Sequence, residues 1–296
     1  MLEAIKHKAK ELGFIATGFC RPDTPLWFDR YCAWIDGHKN ADMAWLNRSI
    51  GVRKDPTRLL EGCRTIISLA YPFPHQKPSS PDGLTVSRYA QPTEEDYHAR
   101  LRRLCRELAV VIEAADGGSR SRICVDSAPI LERSYGCASG IGFIGKNNML
   151  IVPGCGSYVY LAEILTTAYL EFAPTEAMPT PCASCRRCLD ACPTAALEQA
   201  FCLDASRCLS YLTIESKKPL NERQAQKMGD CFFGCDRCQE ACPFNQEDEQ
   251  RVVVLPSTPE WLQMSEETFE IQFGRSALAR AGLTRLKENI RLTTAS

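Results

Sequence analysis

Eight cysteines in two short runs carry the most specific chemical signal in this chain. Cys182, Cys185, Cys188 and Cys192 follow the spacing C-x2-C-x2-C-x3-C and are trailed by Pro193, and Cys231, Cys235, Cys238 and Cys242 answer them with Pro243 behind. In such a run three thiolates on a tight loop grip one cuboidal iron-sulfur cluster, and the fourth, opening the next helix, reaches a second. A zinc knuckle pairs two C-x2-C units without the third close cysteine and the trailing Cys-Pro. If the runs exchange their last ligands, Cys182, Cys185 and Cys188 hold one 4Fe-4S cluster with Cys242, and Cys192, Cys235 and Cys238 hold the other. The second cluster then needs a fourth ligand. Cys231 is separated from Cys235 by three residues, where the first run has two between its cysteines, and Cys202 and Cys208 are also within range; spacing leaves all three open.

Other reactive residues carry weaker signals. Asp126-Ser127-Ala128-Pro129 precedes the apolar-charged stretch Ile130-Leu131-Glu132-Arg133, a pattern in which Asp126 would cap a helix. Gly140-Ile-Gly142-Phe-Ile-Gly145-Lys146-Asn147 satisfies G-x-G-x-x-G and nearly the P-loop pattern. The context excludes both nucleotide loops: LERSYGCAS before it reads as helix where a strand is required, and Asn147 replaces the magnesium-binding hydroxyl. These glycines still allow backbone to approach a large ligand. Asp96-Tyr97-His98 opens like the D-x-H of a cobalt-ligating motif, but Leu101 stands where that motif needs glycine. His98 reads as a helix-surface residue or a polar contact. His7, His38 and His75 suggest no partner, and residue order alone gives no Cys-His or Ser-His-Asp constellation.

The whole chain bounds what can position these groups. With 296 residues, 45% of them hydrophobic and 24% charged, it can form two domains or one large one. No apolar run reaches the length of a membrane span, and MLEAIKHKAKELGF alternates charged and apolar residues like an amphipathic helix, so the reading is a cytoplasmic protein with no membrane association. Seventeen cysteines without a secretory signal point to thiolate-metal chemistry in a reducing compartment. Cys20, Cys32, Cys63, Cys105, Cys124, Cys137 and Cys155 read mostly as small buried hydrophobes. A net charge of −1 gives no global footprint for nucleic acid.

Periodicity predicts helices over 2–13, 26–36 and 43–48, a strand over 14–19, and a β-branched core strand over 64–71. Residues 72–92, rich in proline, serine and glycine, read as a long surface loop or lid. A helix over 96–115 carries Leu101, Leu104, Leu108, Val111 and Ile112 on one face, with Arg100, Arg102, Arg103 and Arg106 as a solvated face or a local RNA contact. Strands are expected over 122–125 and, after a turn, within 154–165, where a helix is the alternative. Downstream, 212–226, 261–273 and a basic amphipathic 277–292 read as helices. The fold class is α/β (α+β), divided as 1–173, 174–250 and 251–296, with proline-rich 174–181 as the first boundary.

Several stretches together, VSRYA, DYH, VDSAPILER, GIGFIGKNNMLI, GSYVYLAEIL, RCLSYLTIE and both cysteine runs, resemble the epoxyqueuosine reductase family over nearly the whole chain. The tail FGRSALARAGLTRLKENI is similar to the helical stretch preceding that family's C-terminal helical-repeat extension, so the chain matches a short form. The resemblance implies a nitroreductase-like domain binding cobalamin, a ferredoxin-like domain with two 4Fe-4S clusters, and reduction of a cyclopentane epoxide to an alkene in tRNA. It implies a monomer fed by an external low-potential electron donor. Asp126 falls at the family's proton-donor position, where a carboxyl beside a buried cofactor is expected to have a raised pKa. Cys208 matches the remaining ligand of the second cluster, giving Cys192, Cys208, Cys235 and Cys238, and leaves Cys231 spare. Arg48, Asp126, Asn148, Ser210 and Asp236 match cobalamin-pocket positions. The competing readings are a cobalamin-dependent reductase of a small molecule, like reductive dehalogenases, and a ferredoxin-like electron carrier without catalysis of its own.

Overall fold

The computed structural model describes residues 1–245 and 251–294; the boundary expected at 250 and the end at Ser296 lie outside them. The amino-terminal part begins with helix α1 (Leu2–Glu11), strand β1 (Ala16–Cys20), helices α2 (Phe28–Asp36), α3 (Ala44–Arg48) and α4 (Ile50–Lys54), and strand β2 (Thr65–Pro72). The short strands β3 (Lys77–Ser79) and β4 (Thr85–Val86) follow, then α5 (Tyr97–Asp116), β5 (Ser121–Cys124), α6 (Glu132–Ala138), the hairpin β6 (Phe143–Ile144) and β7 (Leu150–Ile151), and β8 (Val159–Thr166). An antiparallel sheet of order β1-β2-β8-β5 forms the layer on which the rest is built. β2 is apolar at nearly every position because both of its faces are covered.

Helix α5 shows how sequence sets an element. Asp96 caps it by accepting the His98 N–H at 2.8 Å, and Gly117, with φ 68°, ends it. Leu101, Leu104, Cys105, Leu108 and Ile112 point to one side and pack with Ile5, Ala9, Ile67, Leu69 and Ile164. Arg100 is less solvated than expected: its guanidinium lies 5.3 Å from the Tyr71 ring and pairs with Glu94.

The cysteine-rich part contains α7 (Arg187–Asp190), β9 (Leu197–Gln199), β10 (Cys202–Leu203), α8 (Leu209–Ile214), α9 (Glu222–Met228), β11 (Cys231–Phe233) and α10 (Arg237–Glu240). After it come β12 (Arg251–Val253), α11 (Thr258–Gln263), α12 (Glu266–Phe273) and α13 (Gly282–Thr294). Trp261, Phe269, Phe273, Leu278, Leu286 and Ile290 share one core with Leu212, Met228, Phe232 and Phe233. Among the described residues, no helix is long and apolar enough to cross a membrane.

Four expectations need correction. Residues 72–92 are not a surface lid: Ser79, Ser80, Leu84, Val86, Ser87 and Ala90 are buried, because β3 and β4 pair in parallel with β12 and β11. The stretch 212–226 forms two helices, separated by residues 215–221, where Pro219 cannot continue the first. The stretch 261–273 also splits, because Ser265 caps α12 by accepting the Thr268 N–H at 3.1 Å. The last stretch breaks at Gly282, where φ is 74°, into a short 3-10 turn and α13.

The two parts are joined at a polar seam. Asn245 accepts the Ser157 N–H at 2.6 Å and donates to Gln239 O at 2.7 Å, and Gln239 donates to Ser157 O at 3.0 Å. Gly156 has φ 80°, and a Cβ there would lie 2.2 Å from Asn245 Oδ1 and 2.9 Å from Phe244 O. Gly156→Ala is therefore expected to destabilise the fold by about 1–3 kcal/mol. A thermal unfolding midpoint equal to that of the wild type would show that the seam can yield.

Candidate active site

Cys182, Cys185, Cys188 and Cys242 line one small cavity together with Gly145, Lys146 and Asn147. The tight loop is closed by Cys185 N–H donating to Cys182 O at 2.8 Å, and Cys188 lies on α7. The glycine-rich stretch that failed as a nucleotide loop instead wraps this site. Lys146 Nζ donates to Cys185 O at 2.8 Å, and Asn147 Nδ2 donates to Cys238 O at 3.1 Å in the second run. Burial, then the neighbouring Cys242 and Cys182 thiols, push the Cys188 thiol up.

The second group is assembled from three places in the chain. Burial raises the Cys238 thiol well above its ordinary value, and Cys235, Cys208 and Cys192 crowd it in turn. Cys208, at the start of α8, is raised by burial and by Cys192. The other two cysteines that spacing left open point elsewhere. Cys202 Sγ lies 3.1 Å from Lys39 Nζ. Cys231 on β11 turns its thiol to the carbonyls of Phe233 and Gly234 at 3.4 and 3.6 Å, and burial pushes it up to about 12. Among the described residues no three His, Cys, Asp or Glu side chains come close enough to share a single metal ion; a cuboidal cluster spans a wider cage.

Beside Cys235 opens a cavity of about 540 Å³. Lys77, Arg88, Asp230, Asp236, Arg237, Glu240 and Tyr158 are among its lining residues. Asp236 accepts the Arg88 N–H at 2.8 Å, and Lys77 pairs with Glu240 at 3.1 Å. Burial raises the Asp236 carboxyl against the pull of Lys77 and Arg88. Of the positions expected around cobalamin, Asp236 lines this cavity and Arg48, Asn148, Ser210 and Asp126 do not. Arg48 ends α3 with its side chain exposed, Asn148 sits with φ 62° between β6 and β7, and Ser210 lies in the first turn of α8. The lining suits the amide-bearing rim of a corrinoid, which needs both donors and acceptors, and its cations suit a phosphate.

Asp126 occupies a different niche. It follows β5 with φ 52°, and its Oδ2 lies 3.0 Å from His98 Nε2. The opposite ring nitrogen of His98 is 2.7 Å from Asp96 Oδ1. Arg280 approaches Asp126 to 3.8 Å, and Glu132 Oε1 accepts the Asp126 N–H at 2.6 Å. Asp126 caps no helix, since the residue before α6 is Leu131. Tyr89 packs between this niche and the cysteine-rich core, with ring centroids 6.2 Å from Tyr97 and 6.1 Å from Phe233.

The acidity of Asp126 is the reverse of the expected shift. Its hydrogen bond to His98 outweighs burial, and the charges of His98 and Arg280 add to it, so the carboxyl is held below its usual range. Burial alone would lower His98, but its hydrogen bonds to Asp126 and then Asp96 push it up to about 9. At neutral pH the pair is thus an imidazolium and a carboxylate sharing one proton. Residue order missed this Asp96–His98–Asp126 line; the available signal was Asp96 as a helix cap, which places His98 in the first turn of α5.

Known proteins resemble this chain in both sequence and fold. Residues 53–127 match the family model "Epoxyqueuosine reductase QueG", and residues 181–245 match a 4Fe-4S double cluster binding domain. An epoxyqueuosine reductase of Cyclobacterium marinum is 33% identical over 97% of this chain and 95% of its own length. Among solved structures, an epoxyqueuosine reductase with a tRNA-Tyr epoxyqueuosine-modified stem loop has a TM-score of 0.85 at 28% identity, covering 99% of this chain and 80% of that one. The Bacillus subtilis enzyme, solved with its catalytic-aspartate loop swung out of the active site, has a TM-score of 0.87 at 28% identity, covering 99% and 81%.

Proposed function

The chain belongs to the epoxyqueuosine reductase family of oxidoreductases, and we propose that it reduces epoxyqueuosine to queuosine in tRNA. Removing the epoxide oxygen as water takes two electrons and two protons and leaves an alkene. The observation that carries this reading is the juxtaposition, in one chain, of two four-cysteine groups with a proton-bearing Asp126–His98 pair.

In this reading Cys182, Cys185, Cys188 and Cys242 hold one 4Fe-4S cluster, and Cys192, Cys208, Cys235 and Cys238 hold the other. An external low-potential donor feeds them. Asp236, with Lys77 and Arg88 in the same cavity, would hold cobalamin, which when bound supplies a strongly reducing cobalt centre. Asp126, a carboxylate at rest, takes the proton held on His98 and relays it to the departing oxygen. The enzyme works as a monomer in the cytoplasm on a tRNA anticodon. The test is an anaerobic incubation of cluster-loaded protein with cobalamin, a chemical reductant and an RNA stem loop bearing epoxyqueuosine, read by mass spectrometry. Unconverted nucleoside in protein with both clusters loaded would overturn the reading.

The proton donor makes a pH prediction. His98 is raised from its ordinary 6.5, so it keeps its proton as pH rises through neutrality and loses it through about 9. Turnover is expected to be flat around neutral pH and to fall with unit slope through about 9. In His98→Gln that limb should vanish and the rate be low throughout. A wild-type profile already falling near pH 7 would remove His98 from the proton path.

A further inference from the structure

The loop carrying Asp126 turns through a conformation that few residues with a side chain adopt, aspartate being one that adopts it more readily than most. A φ of 52° places Asp126 in the left-handed region, which is uncommon for a residue with a side chain. The Ser127 N–H folds back onto Val125 O at 2.6 Å, so the turn is tight. Three side chains from outside hydrogen-bond to it, and Arg280 adds its charge at 3.8 Å. On α5, His98 meets the Asp126 carboxylate and Arg102 donates to Ser127 Oγ at 2.7 Å. On α6, Glu132 accepts the backbone N–H of Asp126 at 2.6 Å. The first two act on side chains free to rotate. Of the three, Glu132 is the one that grips the backbone whose φ is at issue.

We propose that Glu132 is the positioning residue of the proton donor: its carboxyl latches the Asp126 backbone in the left-handed turn and so keeps the Asp126 carboxylate against His98. This rests on the reading of Asp126 as the proton donor. The surroundings suit an uncharged latch. Burial, then the charge of Asp126, raise Glu132, against the opposing pull of the Asp126 N–H bond itself and then of Arg133 and His98. Behind it on β8, Glu163 is fully buried, neither of its oxygens has a hydrogen-bond partner, and burial followed by Glu132 raises it well above its ordinary value. Cys124 and Tyr97 complete the groups that feel the Glu132 charge, and both are raised by burial. A neutral carboxyl still accepts the Asp126 N–H through its carbonyl oxygen, and it does so without repelling the Asp126 carboxylate.

The experiment compares Glu132→Ala and Glu132→Gln with the wild type in the cluster-loaded protein, using the RNA stem loop bearing epoxyqueuosine with cobalamin and reductant supplied. Its second readout needs no turnover: the His98 titration, followed by NMR of carbon-13-labelled histidine, of which the chain has four. In Glu132→Ala, kcat is expected to fall ~10²-fold with KM within about twofold, the effect of a misplaced catalytic group. The His98 titration should move down from about 9 towards its ordinary value. Glu132→Gln, whose amide oxygen accepts the same N–H, should restore kcat to within a few-fold and return the titration. An unmoved His98 titration in Glu132→Ala overturns the latch, and so does a glutamine variant as slow as the alanine one, which would make the carboxyl a proton carrier. If the wild type converts no epoxide, the function assigned above fails, and the titration still decides the latch. Should the alanine variant not load its clusters, the glutamine variant's kcat and titration decide alone.

Discussion

Asp126→Asn is expected to lower kcat by about 10³-fold or more, within the range for loss of a general acid, and to leave the iron content unchanged. Two effects combine. The amide cannot take up and pass on the His98 proton, and it removes the carboxylate whose hydrogen bond is the largest influence raising His98. With Asp96 alone as partner, the imidazole should drift back towards its ordinary value and lose its charge nearer to neutral pH. The substitution thus removes the donor and depletes its reserve. It alters no cysteine, and Asp126 is half-exposed, so cluster loading serves as the internal control. KM for the RNA should change little. An Asp126→Asn enzyme with more than a tenth of wild-type kcat would assign the proton to another group.

Cys208→Ala carries the second large effect. Two 4Fe-4S clusters give about eight iron atoms per chain, and losing one ligand should reduce reconstituted protein to about four, with turnover abolished. The parallel variants Cys202→Ala and Cys231→Ala should keep full iron. The basis is placement: Cys208 lies within the influence of both Cys192 and Cys238, whereas Cys202 faces Lys39, and Cys231, though it feels Cys235, turns its thiol to the carbonyls that follow it. Undiminished iron in Cys208→Ala, or a loss in Cys231→Ala, would reassign the ligand.

The sequence was legible where local pattern and tertiary demand coincide. The face of α5 and the apolar run of β2 announced themselves because a helix stripe and a doubly covered strand each leave a period or a run of their own. The cysteine runs were legible because metal geometry restricts spacing. Residues 72–92 were misread because the partners of β3 and β4 come from the far end of the chain, and prolines tolerable at a short strand's edge look like loop. The Asp96–His98–Asp126 line was invisible for a related reason: α5 and the turn after β5 are brought side by side by the fold. The acidity of Asp126 followed from that contact and not from burial, so reasoning from burial alone gave the opposite sign.

The pairing of β3 and β4 with β12 and β11 has a bearing on how the protein is made. The antiparallel sheet of the first part can close as soon as β8 has left the ribosome, yet its segment 77–86 must wait for strands synthesised much later. Until then the two short strands have only each other, through the Ser79–Thr85 pairing, and their outer edges are the kind that chaperones guard. This second sheet can therefore be completed only after both cysteine runs have emerged.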